Sequence, residues 1–322
     1  MKKLICVMLT VLMVASLFAG CGAKADDGVI NIAIIQQLDH SSLDEIRLAA
    51  QAEIDRIAAE KGVKVEYKHF NGQNDTSILA QIGTQVVSDG YDLILPIATL
   101  AAQYAVTAAE GKDIPIVYAA VSDPAGAGLT GMPTVTGVSD ALNTPFIMDM
   151  MFAADPDIQT VGLLYSLSEH NSEVPIQEAK AYLDAKGIPY IEKTGNTADE
   201  VLTAVSALVG RCDAVFTPTD NAIMNVAPTV AEILTTAGIP HYAGADSFVL
   251  SGAFATCGVN YTELGTKTGD IAMEILMGGE IGDFVLMDGG IITVNSTTAK
   301  ALDIDYSVFN AMAGTVTAIT ID

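Results

Sequence analysis

Short continuous apolar runs alternate along this chain with longer stretches whose apolar residues recur every three or four positions. The first run, Val29–Ile35, reads as a buried strand, and Ser42–Lys61 as an amphipathic helix with Ser41 and Ser42 as candidate caps and Gly62 as its stop. Strands follow over Val63–Lys68, Asp92–Ile97, Ile114–Val121 and Val135–Val138, with helices over Asp75–Asp89 and Ala98–Glu110 between them. The alternation then restarts. Strands are predicted over Thr160–Tyr165, Ile188–Lys193, Ala214–Thr217, Ile239–Ala243 and Ala253–Asn260, with helices over Ser172–Lys186, Thr197–Val209 and Ala222–Ala237. Helices threaded between short buried strands require parallel sheets with right-handed crossovers.

The two series resemble each other. Asp92-Leu-Ile-Leu-Pro96 leads through Ala98-Thr99 into a helix, then Ile114-Pro115, a strand and Ser122-Asp123. Asp213-Ala-Val-Phe-Thr-Pro218 leads through Thr219-Asp220-Asn221 into a helix, then Ile239-Pro240, a strand and Asp246-Ser247. The fold class is therefore α/β: two doubly wound parallel-sheet lobes joined by a multi-strand hinge. The tail offers a helix over Tyr261–Met277, short strands over Phe284–Met287 and Ile291–Asn295, and a last helix over Thr297–Leu302. These pieces are too few for a third domain. The expected division is a first lobe of residues 29–140 plus about 261–285, and a second of 141–260 plus about 286–322.

The N-terminus changes the compartment. Lys2 and Lys3 precede the apolar run Leu4–Leu17, shorter than the about 20 residues a bilayer-spanning helix needs. The run ends in Leu17-Phe18-Ala19-Gly20-Cys21, small residues directly before a thiol. Residues 1–20 read as a signal peptide, Cys21 as a lipidation site and residues 21–28 as a lipidated tether. The mature protein is expected at the extracytoplasmic face of a cell membrane, held to the bilayer through Cys21. The formal net charge of −24 repels nucleic acid, so no nucleic-acid partner is expected. Cys212 and Cys257, beyond the leader, are expected to be free buried thiols.

In open parallel sheets ligands bind beyond the carboxyl ends of the strands. Those ends carry Gln36, Gln37, Asp39 and His40, then Thr99, then Ser122 and Asp123 in the first lobe. The second offers Ser166, Ser168, Glu169, His170, Asn171 and Ser172, then Thr219, Asp220 and Asn221, then Asp246. The Ser, Thr, Asp and Asn among them are also favoured helix caps, but six such clusters from two lobes should converge on one cleft. Asp246 follows the small residues Ala243-Gly244-Ala245, with no long helix expected behind it, and is the chosen counter-charge for a ligand ammonium, with Asp220 its rival. Thr99 and Ser122 are the chosen carboxylate holders. The nucleophile elbow, the phosphate loop, the Rossmann glycine fingerprint and any zinc spacing are absent, so the chain is read as neither an enzyme nor a metalloprotein and as needing no cofactor.

Several segments resemble one family. They are Ile34-Ile35-Gln36, Pro96-Ile97-Ala98-Thr99, Ile114-Pro115-Ile116-Val117, the stretch Val121-Ser122-Asp123-Pro124-Ala125-Gly126-Ala127-Gly128-Leu129, Val135-Thr136-Gly137-Val138-Ser139-Asp140, Ser168-Glu169-His170-Asn171-Ser172 and Pro218-Thr219-Asp220-Asn221. Together, across residues 29–305, they are similar to the tryptophan/tyrosine-type substrate-binding proteins of ABC importers, with a type I periplasmic-binding fold. The resemblance implies capture of a small amino-acid-like solute, aromatic or hydrophobic, by a monomer that delivers it to an ABC permease. It implies pocket roles for Thr99, Ser122 and Asp123 in the first lobe, and for Ser168, Asn171, Ser172, Thr219, Asn221 and Asp246 in the second. Gln37 and Asp220 join the candidates as strand-end residues. Leu38-Asp39-His40, His170 and Ser247-Phe248 depart from the family pattern and bear on the exact ligand. A sugar- or nucleoside-binding lipoprotein and a ligand-sensing module for a membrane receptor are the alternatives. The strand ends carry no Lys or Arg, which disfavours phosphates and dicarboxylates, and Trp is absent from the chain.

Overall fold

The computed structural model describes residues 28–287, 289–312 and 315–321. The predicted signal peptide, Cys21 and most of the tether lie outside the described residues.

The first lobe is built on β1 (Val29–Gln36), β2 (Lys64–Asn71), β3 (Leu93–Ile97), β4 (Ile116–Ala119) and β5 (Val135–Ser139), joined by β11 (Val285–Leu286) from far along the chain. Their order is β11-β5-β4-β3-β1-β2, every pair parallel. The second lobe holds β6 (Val161–Tyr165), β7 (Tyr190–Thr194), β8 (Ala214–Thr217), β9 (His241–Ala243), β10 (Ala255–Gly258), β12 (Ile291–Asn295) and β13 (Thr315–Ile319). Their order is β13-β12-β10-β9-β8-β6-β7, and among the described residues only β10 and β12 pair antiparallel. That exception has a cause: β12 arrives directly from the other lobe, with no crossover helix to turn it round.

Helices cover both faces of these sheets. They are α1 (Ser41–Lys61), α2 (Thr76–Asp89), α3 (Thr99–Ala108), α4 (Thr144–Ala154), α5 (Glu173–Lys186), α6 (Ala198–Ser206), α7 (Asn221–Met224), α8 (Ala227–Thr236), α9 (Asp246–Leu250), α10 (Tyr261–Leu276) and α11 (Ser296–Ala301). Strands covered on both sides must be apolar throughout, and β3, β4 and β8 are buried at every position. Helix α10 belongs to the first lobe, where it packs along α1. The approach is close: a Cβ at Gly265 would stand 2.4 Å from the backbone oxygen of Ile46.

Five local features differ from the expectations. The helix α4 was not predicted, and β13 adds an edge strand beyond the expected tail. The helix predicted over Ala222–Ala237 is two, because Pro228 sits at the start of α8, where its missing N–H costs nothing. Asp246 itself opens a short helix, α9. Ser41 and Ser42 do not cap α1; His40 is its N-cap residue, and its side chain makes no capping bond. Cys212 and Cys257 are free and buried, and burial pushes both thiols up to about 11. No helix among the described residues is long and apolar enough to cross a membrane.

Candidate functional site

The carboxyl ends of the inner strands of both sheets face each other across a narrow, partly open cavity, whose space counted together with its mouth is about 380 Å³. The first lobe contributes His40, Ser42 and Leu43 at the start of α1, Ala98 and Thr99 after β3, and Ala120 and Ser122 after β4. Asp140 follows β5, and Tyr261 opens α10. The second contributes Asn171, then Thr219, Asp220, Asn221 and Met224 around α7, and Ala245, Ser247 and Phe248 around α9. Among the described residues, no Lys or Arg lines it.

The lobes touch around this space. Gln37 Nε2 donates to Glu169 Oε1 at 2.9 Å, Ser42 Oγ to Asp246 Oδ1 at 2.9 Å, and the hydroxyls of Ser122 and Thr219 lie 3.2 Å apart. These contacts join residues about 100 to 200 positions apart, so the cleft is closed.

Two backbone outliers border the cavity. Ala98 has φ 75° and Ala120 φ 53°, left-handed values that a residue with a Cβ rarely adopts. Such conformations cost about 1–3 kcal/mol each and persist where the surroundings enforce them. At Ala98 the consequence is an open helix end: α3 starts with no side-chain cap from its N-cap residue. Gln37 Oε1 accepts from Leu100 N–H at 3.1 Å, and the positive end of the helix faces the cavity.

Four buried polar atoms of the lining have no hydrogen-bond partner: His40 Nδ1, Thr99 Oγ1, Asn171 Oδ1 and Ser247 Oγ. Burial lowers the His40 imidazole to about 4, against the weaker opposing effects of an Asn221 hydrogen bond and of Asp44 and Asp39, so the ring is neutral near pH 7. Three carboxyls are buried at the cleft. Burial raises Asp140, against an O–H bond donated by Ser122 at 2.9 Å. Burial also raises Asp220, although its side chain accepts from Ser166 N, Ser172 Oγ and Ile223 N. Glu169 is pushed up to about 8 by burial and then by the Asp220 charge.

The predicted residues distribute unevenly. Thr99, Ser122, Asn171, Thr219, Asp220 and Asn221 line the cavity. Gln37 and Ser172 stand one layer behind, Gln37 bridging to Glu169 and Ser172 bonding Asp220. Asp123 lies off the lining and closes its own turn by accepting from Gly126 N. Ser168 is exposed and its hydroxyl pairs with Ser166. Asp246 lies outside the lining, its carboxylate on Ser42 and facing a separate groove with Glu45 and Thr256. His170 turns outward to Glu173, whereas His241 is a packing residue bonded to Thr217. Asp140, Tyr261, Phe248 and Met224 went unassigned. For Asp140 a signal existed, since it ends the short strand β5 as Ser122 follows β4; the others come from helix faces that only the meeting of the lobes turns inward.

Two like-built lobes closing on a polar cavity define a solute receptor, and comparison with known proteins gives its family. Residues 31–311 match the model of the ABC transporter substrate binding protein family, and the chain belongs to that family. A tyrosine-binding protein of Clostridioides difficile (strain R20291) is 32% identical over 321 residues, covering 94% of this chain and 92% of that protein. The crystal structure of an ABC domain from Streptococcus pneumonia in complex with L-Trp superposes with a TM-score of 0.82 at 31% identity, covering 89% of this chain and 99% of that one. The ligand-free, open structure of a substrate-binding protein with adhesive properties from Clostridium difficile gives a TM-score of 0.68 at 32% identity, covering 91% and 100%. At nearly equal identity, the better match to the liganded structure accords with the closed cleft described above.

Proposed function

We propose that this chain is the lipid-anchored, extracytoplasmic receptor of an ABC importer and that its solute is an amino acid with an aromatic or large apolar side chain. The observation that carries this reading is the set of four partnerless polar atoms, on His40, Thr99, Asn171 and Ser247, around one closed cavity. Each buried unsatisfied group costs about 1–3 kcal/mol, so closing over an empty space is unfavourable and a polar ligand removes the penalty.

The lining divides as a zwitterion would require. Thr99 and the open N-terminus of α3 suit the ligand carboxylate, with the Ser122 hydroxyl beside them. Asp140 suits the ammonium: the side chain that bonds it is the Ser122 hydroxyl, whereas the Asp220 carboxylate is already satisfied by three donors. Leu43, Met224, Phe248 and Tyr261 supply an apolar wall for the side chain. The tyrosine-binding relative and the Trp-bound structure support the aromatic choice. Cys21 and the leader before it support the anchor, and the family supports binding rather than catalysis.

A thermal-shift screen across amino acids, sugars and nucleosides tests the reading. A ligand at 100 times its dissociation constant adds about 2.7 kcal/mol of stability. L-tyrosine or L-tryptophan should raise the melting temperature; stabilisation by a sugar or nucleoside and by no amino acid would overturn the assignment.

A further inference from the structure

Behind the ligand cavity lies a carboxyl group that the binding reading does not use. Glu169 is 1% exposed and is not part of the cavity lining. It sits between the lobes. Its Oε1 accepts from Gln37 Nε2 of the first lobe at 2.9 Å, and its Oε2 from Asn221 Nδ2 of the second at 3.1 Å. Gln37 is itself fixed, donating to Asn74 Oδ1 and accepting from Leu100 N–H at the start of α3. The Gln37–Glu169 bond therefore ties the ligand-facing helix end to the opposite lobe.

We infer that Glu169 is a positioning residue whose protonation latches the lobes shut, so that ligand capture takes up a proton.

The geometry separates two adjacent carboxyls. Asp220 accepts from two backbone amides and the Ser172 hydroxyl, a donor set that favours the ionised form. Glu169 accepts from the side-chain amides of Gln37 and Asn221, which favour its ionised form, but burial and the facing charge of Asp220 outweigh them. Two buried carboxylates side by side cannot both ionise cheaply, so the pair holds one proton, and Glu169 is the member that keeps it. Among the described residues no cation compensates. His170, next in the chain, turns to Glu173, and the His40 ring, which reaches Asn221, is neutral near pH 7. Helix α3, which packs near this corner, carries no charged side chain. Opening the cleft separates Gln37 from Glu169 and admits water, returning the carboxyl toward its ordinary range.

The sign follows from that difference. The closed form has the raised pKa, so closure is favoured fully below the open-state value and loses its advantage as pH climbs to the closed-state value of about 8. Between about pH 5 and 8, affinity should fall by up to about tenfold per pH unit, with no further loss from this group above pH 8.

This inference rests on the proposed ligand-closing cleft. The test is calorimetry with L-tyrosine and L-tryptophan at several pH values, in buffers of different ionisation enthalpy. Wild type should take up close to one proton more than Glu169→Gln near pH 6.5. The variant, which resembles the protonated acid, should bind with a shallower pH slope and hold its affinity at pH 8 better than wild type. Equal proton uptake and equal slopes in the two proteins would overturn the latch. Failure of both amino acids to bind would count against the ligand reading instead. The radius of gyration of the unliganded proteins between pH 5 and 9 then decides the latch: an expansion with pH that Glu169→Gln abolishes supports it, and identical curves refute it.

Discussion

Replacing Thr99 by Val separates a ligand contact from a structural one. The Thr99 side chain opens α3, is 2% exposed in the closed form, and its Oγ1 has no protein partner. Valine keeps the branched shape and removes the hydroxyl, so no packing contact is lost. In the open, unliganded protein either residue faces water in the cleft, and the unfolding free energy should change by no more than about 0.5 kcal/mol. In the closed complex the hydroxyl is expected to donate to the ligand carboxylate, and a hydrogen bond to a charged group is worth about 1.5–3 kcal/mol. Affinity should therefore fall about tenfold to a hundredfold while the unliganded melting temperature stays put. Titration calorimetry and a thermal melt of the same preparations give both numbers. Unchanged affinity would show that Thr99 does not touch the ligand. A variant destabilised without ligand would show that its hydroxyl serves the fold.

The two acidic candidates separate by the same calorimetry: Asp140→Asn should lose about 2–5 kcal/mol of binding as a charge partner of the ammonium, while Asp246→Asn, whose oxygen can still accept from Ser42, should stay within about threefold. The reverse ranking would move the ammonium to Asp246. Gly137→Ala should be strongly destabilising in urea unfolding, because its Cβ would stand 2.2 Å from the Tyr118 backbone oxygen inside the sheet, and overpacking costs about 1–3 kcal/mol even where side chains can shift; wild-type stability would mean that β5 is free to move. Cys21→Ser should move the protein from the membrane to the soluble fraction, and a variant that stays with the membrane would refute the lipid anchor.

The strands were the most legible part of the chain, because burial on both faces leaves nothing but apolar residues in a short run. Ala214–Thr217 and Ile291–Asn295 have the predicted bounds. Helix α4 escaped for a related reason. Its residues are apolar on nearly every side, with Ile147, Met148, Met150 and Met151 all fully buried, so no periodic stripe marks it. Its start was nonetheless written in the sequence, where Asn143 caps it and Pro145 follows. At the candidate site, the strand-end rule named six of the residues that line the cavity. It could not tell which polar residue at a strand end turns into the cleft and which closes its own loop, as Asp123 does. Asp246 looked unpartnered in sequence because its partner, Ser42, is 204 positions away. Ser42 in turn looked like a helix cap.

The seam between α1 and α10 has a consequence for the order in which the protein assembles. The first lobe is completed by a helix and a strand, α10 and β11, that are synthesised only after most of the second lobe. A chain emerging N-terminus first therefore exposes the α1 surface that Gly265 and Gly269 later cover, and β5 lacks its outer neighbour β11 until residue 285 appears. Contacts of such long sequence separation make folding slow, because loop entropy is lost before packing compensates it. A polypeptide that must cross a membrane unfolded gains from that delay. Stalling synthesis at residue 260 should leave a species lacking the covering helix of one lobe and the strands β12 and β13 of the other, unable to settle into either.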